Sequence, residues 1–399
     1  MQNPLVKGFL VFLLAFLLSG GASYALTTYL YSPESGGPLN PVATPALGGG
    51  LNIDPSAPKT AQCPVNGQMY TSAEEKVWQS RRPLFIMIEN STDARPQSGL
   101  NSADILYEAV VEGGITRFGA VYYCGVAAQD TIVGPVRSAR TTFVNMASEY
   151  NYPLYTHVGG ANCGSSDSRT CTTDKRVQAL EQINQYGWGG IKGNDLNQFS
   201  IGFPTFWRDY ERLGRTVATE HTMYSSTEKL WKYAGGTRKW TNMSPDGKLD
   251  WKDKFVPFTF KDDAKEKGSV SKISFGFWES YHDFDVIWSY DAGSNAYTRQ
   301  NGDSPHKDLN NNSTLTAKVV VVQFTKELGP LDEHKHMLYE IIGTGKGLVF
   351  QDGIATEATW SKKDRESRTI WSDAKGKKLS FNRGKIVFEI LPLDNKVEY

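Results

Sequence analysis

The sequence predicts an α/β (α+β) protein, with an N-terminal mixed-sheet α/β domain followed by a mostly antiparallel β domain. Three observations point there. Between residues 82 and 235, apolar strand-like runs alternate with segments of helical periodicity, as in an α/β sheet. Past about residue 255 short strands follow one another between Gly, Asp and Asn turns. Aromatic residues make up 12% of the chain and glycine 38 of its 399 residues, a composition of strand-rich folded proteins. The length suits about two domains, expected at 63–250 and 251–399.

The N-terminus precedes any fold. Gly8 to Tyr31, "GFLVFLLAFLLSGGASYALTTYLY", carries no charge and is long enough to cross a bilayer. Lys7 before it, with no basic residue just after, favours a cytoplasmic N-terminus and an exported body. Residues 1–31 are expected to be a transmembrane signal anchor. The rival is a cleavable signal peptide with its apolar core at Phe9–Leu18. Both put the bulk of the chain outside the cytoplasm, either single-pass on the cell membrane or secreted. Residues 32–62, rich in Gly, Pro, Ser and Ala, read as a flexible stalk.

Lys+Arg and Asp+Glu both number 43, so the basic excess of a nucleic-acid binder is missing. The four cysteines suggest disulfides in an exported protein. Cys163 and Cys171 bracket "CGSSDSRTC" and are expected to pair, leaving Cys63 with Cys124. No CxxC spacing exists, so no metal site and no cofactor are expected.

In the first region, "RPLFIMIEN" is a buried strand. "NSADILYEAVVEGG" fits helix or strand, and Ser102 as a cap with Asp104 in the first turn favours helix. "ITRFGAVYYCG" is a strand and "DTIVGP" a short one. "SARTTFVNMASEY" has helical spacing at Ala139, Phe143, Met146, Ala147 and Tyr150, with Ser138 as N-cap. "YPLYTHVGG" returns to strand. "VQALEQINQYG" and "STEKLWKYAGG" read as helices, the latter with Ser225 and Glu228 at capping-box spacing and Gly235 as a stop. In the second region the strands are "VSKISFGFW", "DFDVIWSYD", "NAYTRQ", "LTAKVVVVQFTKE", "HMLYEIIGTG", "KGLVFQDG", "IATEATWSK" and "GKIVFEILP". "GTGKG" lacks phosphate-loop spacing and reads as a hairpin.

The chemistry concentrates in "VEGGITRF" and "GPVRSAR". Arg137 and Arg140 bracket a helix start whose first turn holds no acid, which suits a docked anion. The alternative is structural pairing with carboxylates such as Glu108 or Glu112. Arg117, on a largely apolar strand face, needs a partner. Glu108 and Glu112, four apart, are expected on one face, where they supply that partner or a paired acid/base site. If the strands ending at Asn90, Val133 and Val158 are parallel neighbours, their loops bring together Arg95 and Gln97, Arg137 and Arg140, and His157 with Gly159 and Gly160. His221 could act as a general base. His306 with Asp308, and His334 with His336, could ligate a metal but read as exposed turns. A sugar-binding reading requires Trp188 or Trp207 in an open groove.

The stretch "RPLFIMIEN…ARPQSGL…ADILYE…VEGGITRF…GPVRSAR…HVGG", followed by "EHTMYSS", "YTRQNGDSPHKD" and "GKGLVFQDG…ATW", resembles the YerB-like family of exported, lipoprotein-like bacterial proteins. The resemblance covers Arg82 to Pro392. It implies an envelope location, two domains and a residue pattern at Arg95, Gln97, Glu112, Thr116, Arg117, Arg137, Arg140, His221, Arg299, His306 and Asp308. It implies no particular activity. The chain departs from the pattern in having no cysteine near the end of its apolar segment, so a protein anchor takes the place of a lipid. The expected function is binding of an anionic envelope ligand or wall polymer by a membrane-anchored extracytoplasmic protein. The alternatives are a hydrolase or transferase acting on wall polymers through Glu108, Glu112 or His221, and a sugar- or protein-binding scaffold.

Overall fold

The computed structural model describes residues 53–54, 56–164 and 170–399. The expected anchor, Gly8–Tyr31, lies outside the described residues, and no described helix is long and apolar enough to cross a membrane.

A ten-stranded mixed sheet runs through the centre of the body. Its strands are β1 (Leu84–Glu89), β2 (Ile105–Glu112), β3 (Ile115–Tyr122), β4 (Leu154–His157), β5 (Asp195–Asn197), β6 (Val319–Thr325), β7 (Gly343–Gln351), β8 (Ile354–Lys362), β9 (Ile370–Ser372) and β10 (Ile386–Pro392). Their spatial order is β9-β8-β7-β6-β10-β2-β3-β1-β4-β5. β10 pairs parallel with both β6 and β2, and β4 pairs parallel with both β1 and β5. Strands from both sides of residue 250 thus share one sheet. β1, with all six residues buried, reads as a continuous apolar run because both sheet faces are covered.

On one face lies a smaller sheet with antiparallel strands Lys272–Phe275, Val286–Asp291 and Ala296–Asn301. The other face carries helix α2 (Thr141–Ala147). Further helices of the first half are α1 (Ser72–Gln79), α3 (Ala179–Gln185), α4 (Thr227–Tyr233) and the single turn Gln198–Ile201. The expected strand runs of the second half all contain strands. The fold class is as the sequence predicts: a mixed-sheet N-terminal part and a largely antiparallel C-terminal part.

Several local expectations change. The ambiguous segment after Ser102 is strand β2, because its seven residues Ile105–Val111 are buried between β10 and β3. Asp104 caps no helix; its carboxylate accepts from the backbone N–H of Tyr123 (2.6 Å) and Gly125 (3.1 Å). Gly113 and Gly114 close the β2–β3 hairpin with φ +53° and +86°, the left-handed pair that a two-residue turn requires. Helix α2 begins after Arg140, not Ser138, and has no side-chain cap. In α4 the cap is Ser226, whose Oγ accepts from Lys229 N. Ser225 is held in a strand and donates to Thr205 O. Beyond α4 the chain continues through a π-helical turn, Ala234–Arg238, rather than stopping at Gly235.

"GTGKG" is not a hairpin but the first half of β7; the turn comes later, at Asp352 and Gly353. A Cβ on Gly345 would meet the Trp360 ring at 2.7 Å and one on Gly347 the Trp371 ring at 2.6 Å, so these glycines make room for tryptophans. The expected stalk does not extend to residue 62, since Lys59–Gln62 pairs with Met69–Thr71. Both expected disulfides, Cys63–Cys124 and Cys163–Cys171, are present.

Candidate anion site

β1, β2, β4 and β5 run in one direction, so Glu89, Glu112, His157 and Asn197 end at the same rim of the sheet. The segment Pro135–Arg140 threads across that rim. Arg137 N donates to Met87 O (2.9 Å), Val158 N to Arg137 O (3.0 Å) and Ala139 N to Gly159 O (3.0 Å). Backbone bonding therefore delivers Arg137 and Arg140 to the carboxyl ends of parallel strands, beside Gly159 and Gly160, where α/β sheets usually hold ligands.

The two glutamates of β2 do not share a face. The register of β2 against β3 shifts between Val110 and Glu112. Such a bulge turns every later side chain to the opposite side. Glu108 joins Thr116 on the face of the smaller sheet, accepting from Thr116 Oγ1 (2.6 Å) and Asn90 Nδ2 (2.9 Å) and pairing with the guanidinium of Arg299. Glu112 faces the other way, to Arg117 (3.0 Å) and Arg140. A paired-carboxylate acid/base site built from Glu108 and Glu112 is thereby ruled out.

The rim cluster holds three guanidiniums, Arg117, Arg137 and Arg140, against two carboxylates, Glu89 and Glu112. Arg117 has Glu112 on one terminal nitrogen and Ser138 O at 2.8 Å on the other, while its buried Nε makes no hydrogen bond. Arg140 reaches Glu112 and Ala139 O (2.9 Å). Arg137 differs. Its Nε lies 3.2 Å from Glu89 Oε1, it is 25% exposed, and its guanidinium makes no hydrogen bond among the described residues.

Burial pulls the Glu112 carboxyl upward, yet Arg117 and Arg140 outweigh it and hold it at about 2. Glu89 is likewise lowered despite burial, by the His221 hydrogen bond and by Arg137. Burial, with Arg140 close by, lowers Arg117 to about 10. An open cavity of about 210 Å³ adjoins Arg140, lined also by Ser138, Gly160, Asn162, His334 and His336. His334 is exposed, as expected. His336 is buried, with Nδ1 2.8 Å from Asp332.

Other expected members of the site lie elsewhere. Arg95 turns to the Glu108 side. Its nitrogens bond Asn90 O (2.9 and 3.1 Å) and Asp283 O (2.7 Å), with Phe284 beneath the guanidinium. Gln97 is buried there too, donating to Glu89 O (3.0 Å) and Asn90 Oδ1 (2.8 Å). The loop after β1 thus supports the opposite face, because Asn90 points away from Glu89. His306 and Asp308 are buried, not exposed. His306 Nδ1 accepts from Arg299 (2.6 Å) and its Nε2 donates to Gln97 Oε1 (2.9 Å), so the imidazole is neutral, with burial and Arg299 holding it well below its usual value. Asp308 accepts from the N–H groups of Gly99 (3.0 Å) and Asn101 (2.7 Å).

His157 sits at the rim but is sealed, its ring nitrogens facing Gly159 O (2.5 Å) and Asp195 (2.6 Å). It positions the Gly159–Gly160 loop rather than contacting a ligand. Trp188 is buried, and Trp207 lies under Lys229. Among the described residues no group of three or more His, Cys, Asp and Glu side chains could hold a metal ion.

Glu89 was not singled out from the sequence, although an acid ending an otherwise apolar run is its signal. It organises the outer half of the site. His221 Nδ1 lies 3.0 Å from Glu89 Oε2 and Ser91 Oγ 3.0 Å from Oε1. That hydrogen bond raises His221, against partial burial, with Arg137 opposing and Glu220 assisting. A histidine raised on folding contributes stability below its unfolded value of roughly 6.5 and loses it as pH climbs through the folded value. His221→Asn should therefore lower the unfolding midpoint more at about pH 6 than at about pH 9. Equal effects at both pH values would show that the imidazolium–Glu89 pair contributes nothing.

Comparison with known proteins agrees with this organisation. Residues 70–241 match the N-terminal domain, and residues 273–387 the C-terminal domain, of a family of proteins of unknown function, DUF3048. A protein of Bacillus subtilis (strain 168) named "Putative lipoprotein YerB" is 26% identical over 341 residues, covering 85% of this chain and 88% of that protein. The crystal structure of YerB from Bacillus subtilis superimposes with a TM-score of 0.64 at 24% identity, covering 85% of this chain and all of that one. The structural likeness supports the fold.

Proposed function

We propose that this chain, which belongs to the DUF3048 family, is an envelope-associated extracytoplasmic protein that binds an anion at the rim formed by Arg137, Arg140 and the cavity beside Arg140. The observation that carries the reading is the charge balance of the rim: three guanidiniums meet two carboxylates, and Arg137, beside Glu89, is both accessible and without a hydrogen bond among the described residues. Guanidinium donors in a planar fork suit carboxylate and phosphate oxygens. Arg117 and Glu112 act from behind, fixing Arg140. Compared with the sequence-based site, Arg95 and Gln97 leave the ligand set and His221 with Glu89 enters it. An envelope location accords with the name of the Bacillus subtilis relative, "Putative lipoprotein YerB"; attachment through Gly8–Tyr31 is part of the proposal.

Thermal unfolding against phosphate, pyrophosphate, citrate and muropeptides at matched ionic strength tests this. A ligand confined to the folded state adds about 2.7 kcal/mol at a hundredfold excess over Kd. At least one anion should raise the midpoint of the wild type selectively and leave Arg137→Ala unshifted, with the unliganded midpoints of both proteins nearly equal. A large loss of stability in unliganded Arg137→Ala would instead make Arg137 a structural partner of Glu89.

One observation also favours a second reading, hydrolysis or transfer on wall polymers. His221 is held by Glu89 through Nδ1 and makes no hydrogen bond through Nε2 among the described residues, the orientation a general base uses. Turnover of purified wall polymer that survives in His221→Asn would end that reading.

A further inference from the structure

The most exposed large apolar side chains among the described residues are Ile191 (89%), Phe203 (83%) and Phe199 (75%). They fall close together in sequence, on either side of the last strand of the sheet, β5. Isolated apolar residues on a surface are ordinary, but a cluster on one mount marks a contact site. The mount here is rigid. The buried guanidinium of Arg238 donates to Gly193 O (3.0 Å), to Asp195 O and to Ser200 Oγ (3.2 Å). It thereby fastens the loop bearing Ile191 to the turn bearing Phe199.

This apolar tip adjoins the anion rim. The Phe199 ring closes to 2.9 Å of the place where a Cβ on Gly159 would stand, and Gly159 N donates to Asn197 Oδ1 (3.1 Å). The next residue, Gly160, lines the cavity beside Arg140. Basic side chains flank the tip. Lys229 Nζ donates to Pro204 O (3.0 Å) over the ring of Trp207, and Lys192, Arg208 and Lys239 are exposed nearby. The stretch 191–212 also carries three acids, of which Asp195 is buried against His157 and Asp209 and Glu211 lie beyond Trp207.

We infer that this tip docks on the surface of a lipid bilayer carrying anionic headgroups, with Phe199, Phe203 and Ile191 entering the interface and the neighbouring guanidinium site meeting headgroup phosphate. One feature selects a bilayer over a protein partner. Lys192, Arg208, Lys229 and Lys239 surround the tip in a chain whose net charge is zero, and apolar residues combined with basic ones are what an anionic interface attracts. The headgroup contact, though not the apolar one, rests on the anion reading above.

The test uses residues 56–399, which contain all the strands and helices described above, so that insertion of the N-terminal segment cannot mask the result. Co-sedimentation is measured with phosphatidylcholine vesicles, with and without phosphatidylglycerol, for the wild type and for Phe199→Ser/Phe203→Ser. The wild type should sediment with the anionic vesicles. The double variant should bind about tenfold or more weakly, with an unchanged unfolding midpoint and an unchanged response to inorganic phosphate. Failure of the wild type to bind anionic vesicles while phosphate still raises its midpoint would overturn the inference and leave the anion site standing. Equal sedimentation of the wild type and the double variant would overturn it as well. So would a dimer in solution that the double variant abolishes while vesicles stay unbound, since a second copy of the chain would then cover the tip.

Discussion

Replacing Arg299 with Met should lower the stability of the protein by about 3–5 kcal/mol, the usual result of removing one partner from a buried ion pair. Arg299 and Glu108 are both fully buried and pair directly. Arg299 also donates to His306, which passes the contact on to Gln97. This chain of bonds joins the smaller sheet to β2 and to the loop after β1. Near it, Glu389 accepts from Trp288 Nε1 (3.0 Å).

Glu389 lies 3.6 Å from Arg299 Nε, yet that nitrogen makes no hydrogen bond. Burial and the nearby Glu108 push Glu389 up to about 8. The direct contact of Arg299 is with Glu108, and Glu389 stands behind it. Adding Glu108→Gln to Arg299→Met should restore part of the loss, because the stranded charge is gone. Equilibrium denaturation of the two single variants and the double variant measures this coupling. A loss below about 1 kcal/mol for Arg299→Met would mean that the pair is solvated and does not join the sheets.

The Cys63–Cys124 bridge should matter about as much. It closes a loop with a sequence separation of 61 residues, and chain entropy assigns such a closure about 4 kcal/mol. The bridge ties the N-terminal β-pair, Lys59–Gln62 with Met69–Thr71, to the residues just after β3. There Asp104 gathers the N–H groups of Tyr123 and Gly125 and the Asn66 amide (2.7 Å). Cys63→Ser/Cys124→Ser is expected to lose that amount in denaturant while keeping the phosphate response, since the bridge is remote from the rim. Retention of wild-type stability would show that the surrounding polar contacts suffice without the bond.

Much of the fold was legible because its strands are apolar runs between turn residues, as with "LFIMIE", "ITRFGAVY" and "VVVVQFT". Strand β2 was not, because a segment buried on both faces has no alternation to distinguish it from a helix. The site was legible in part. "VEGGITRF" and "GPVRSAR" do meet at one rim, and the pairing of Arg117 with a glutamate follows from the cost of burying a lone charge.

What strand periodicity could not show was the bulge after Val110. Alternation put Glu108 and Glu112 on one face, and a single extra residue parted them. Arg95 was misplaced for a related reason. Its loop follows the same strand as Glu89, but its contacts run through Asn90, one residue on and therefore on the other face. Asp332 and Glu389 come from distant parts of the chain, and only the tertiary fold brings them near these clusters.

The most direct measurement is a phosphate titration of protein labelled with ¹⁵N at arginine, following the guanidinium resonances at constant ionic strength. Saturable shifts centred on Arg137 and Arg140, absent in Arg137→Ala, are expected. Shifts that grow linearly with phosphate, or that spare these two arginines, would contradict an anion site at the rim.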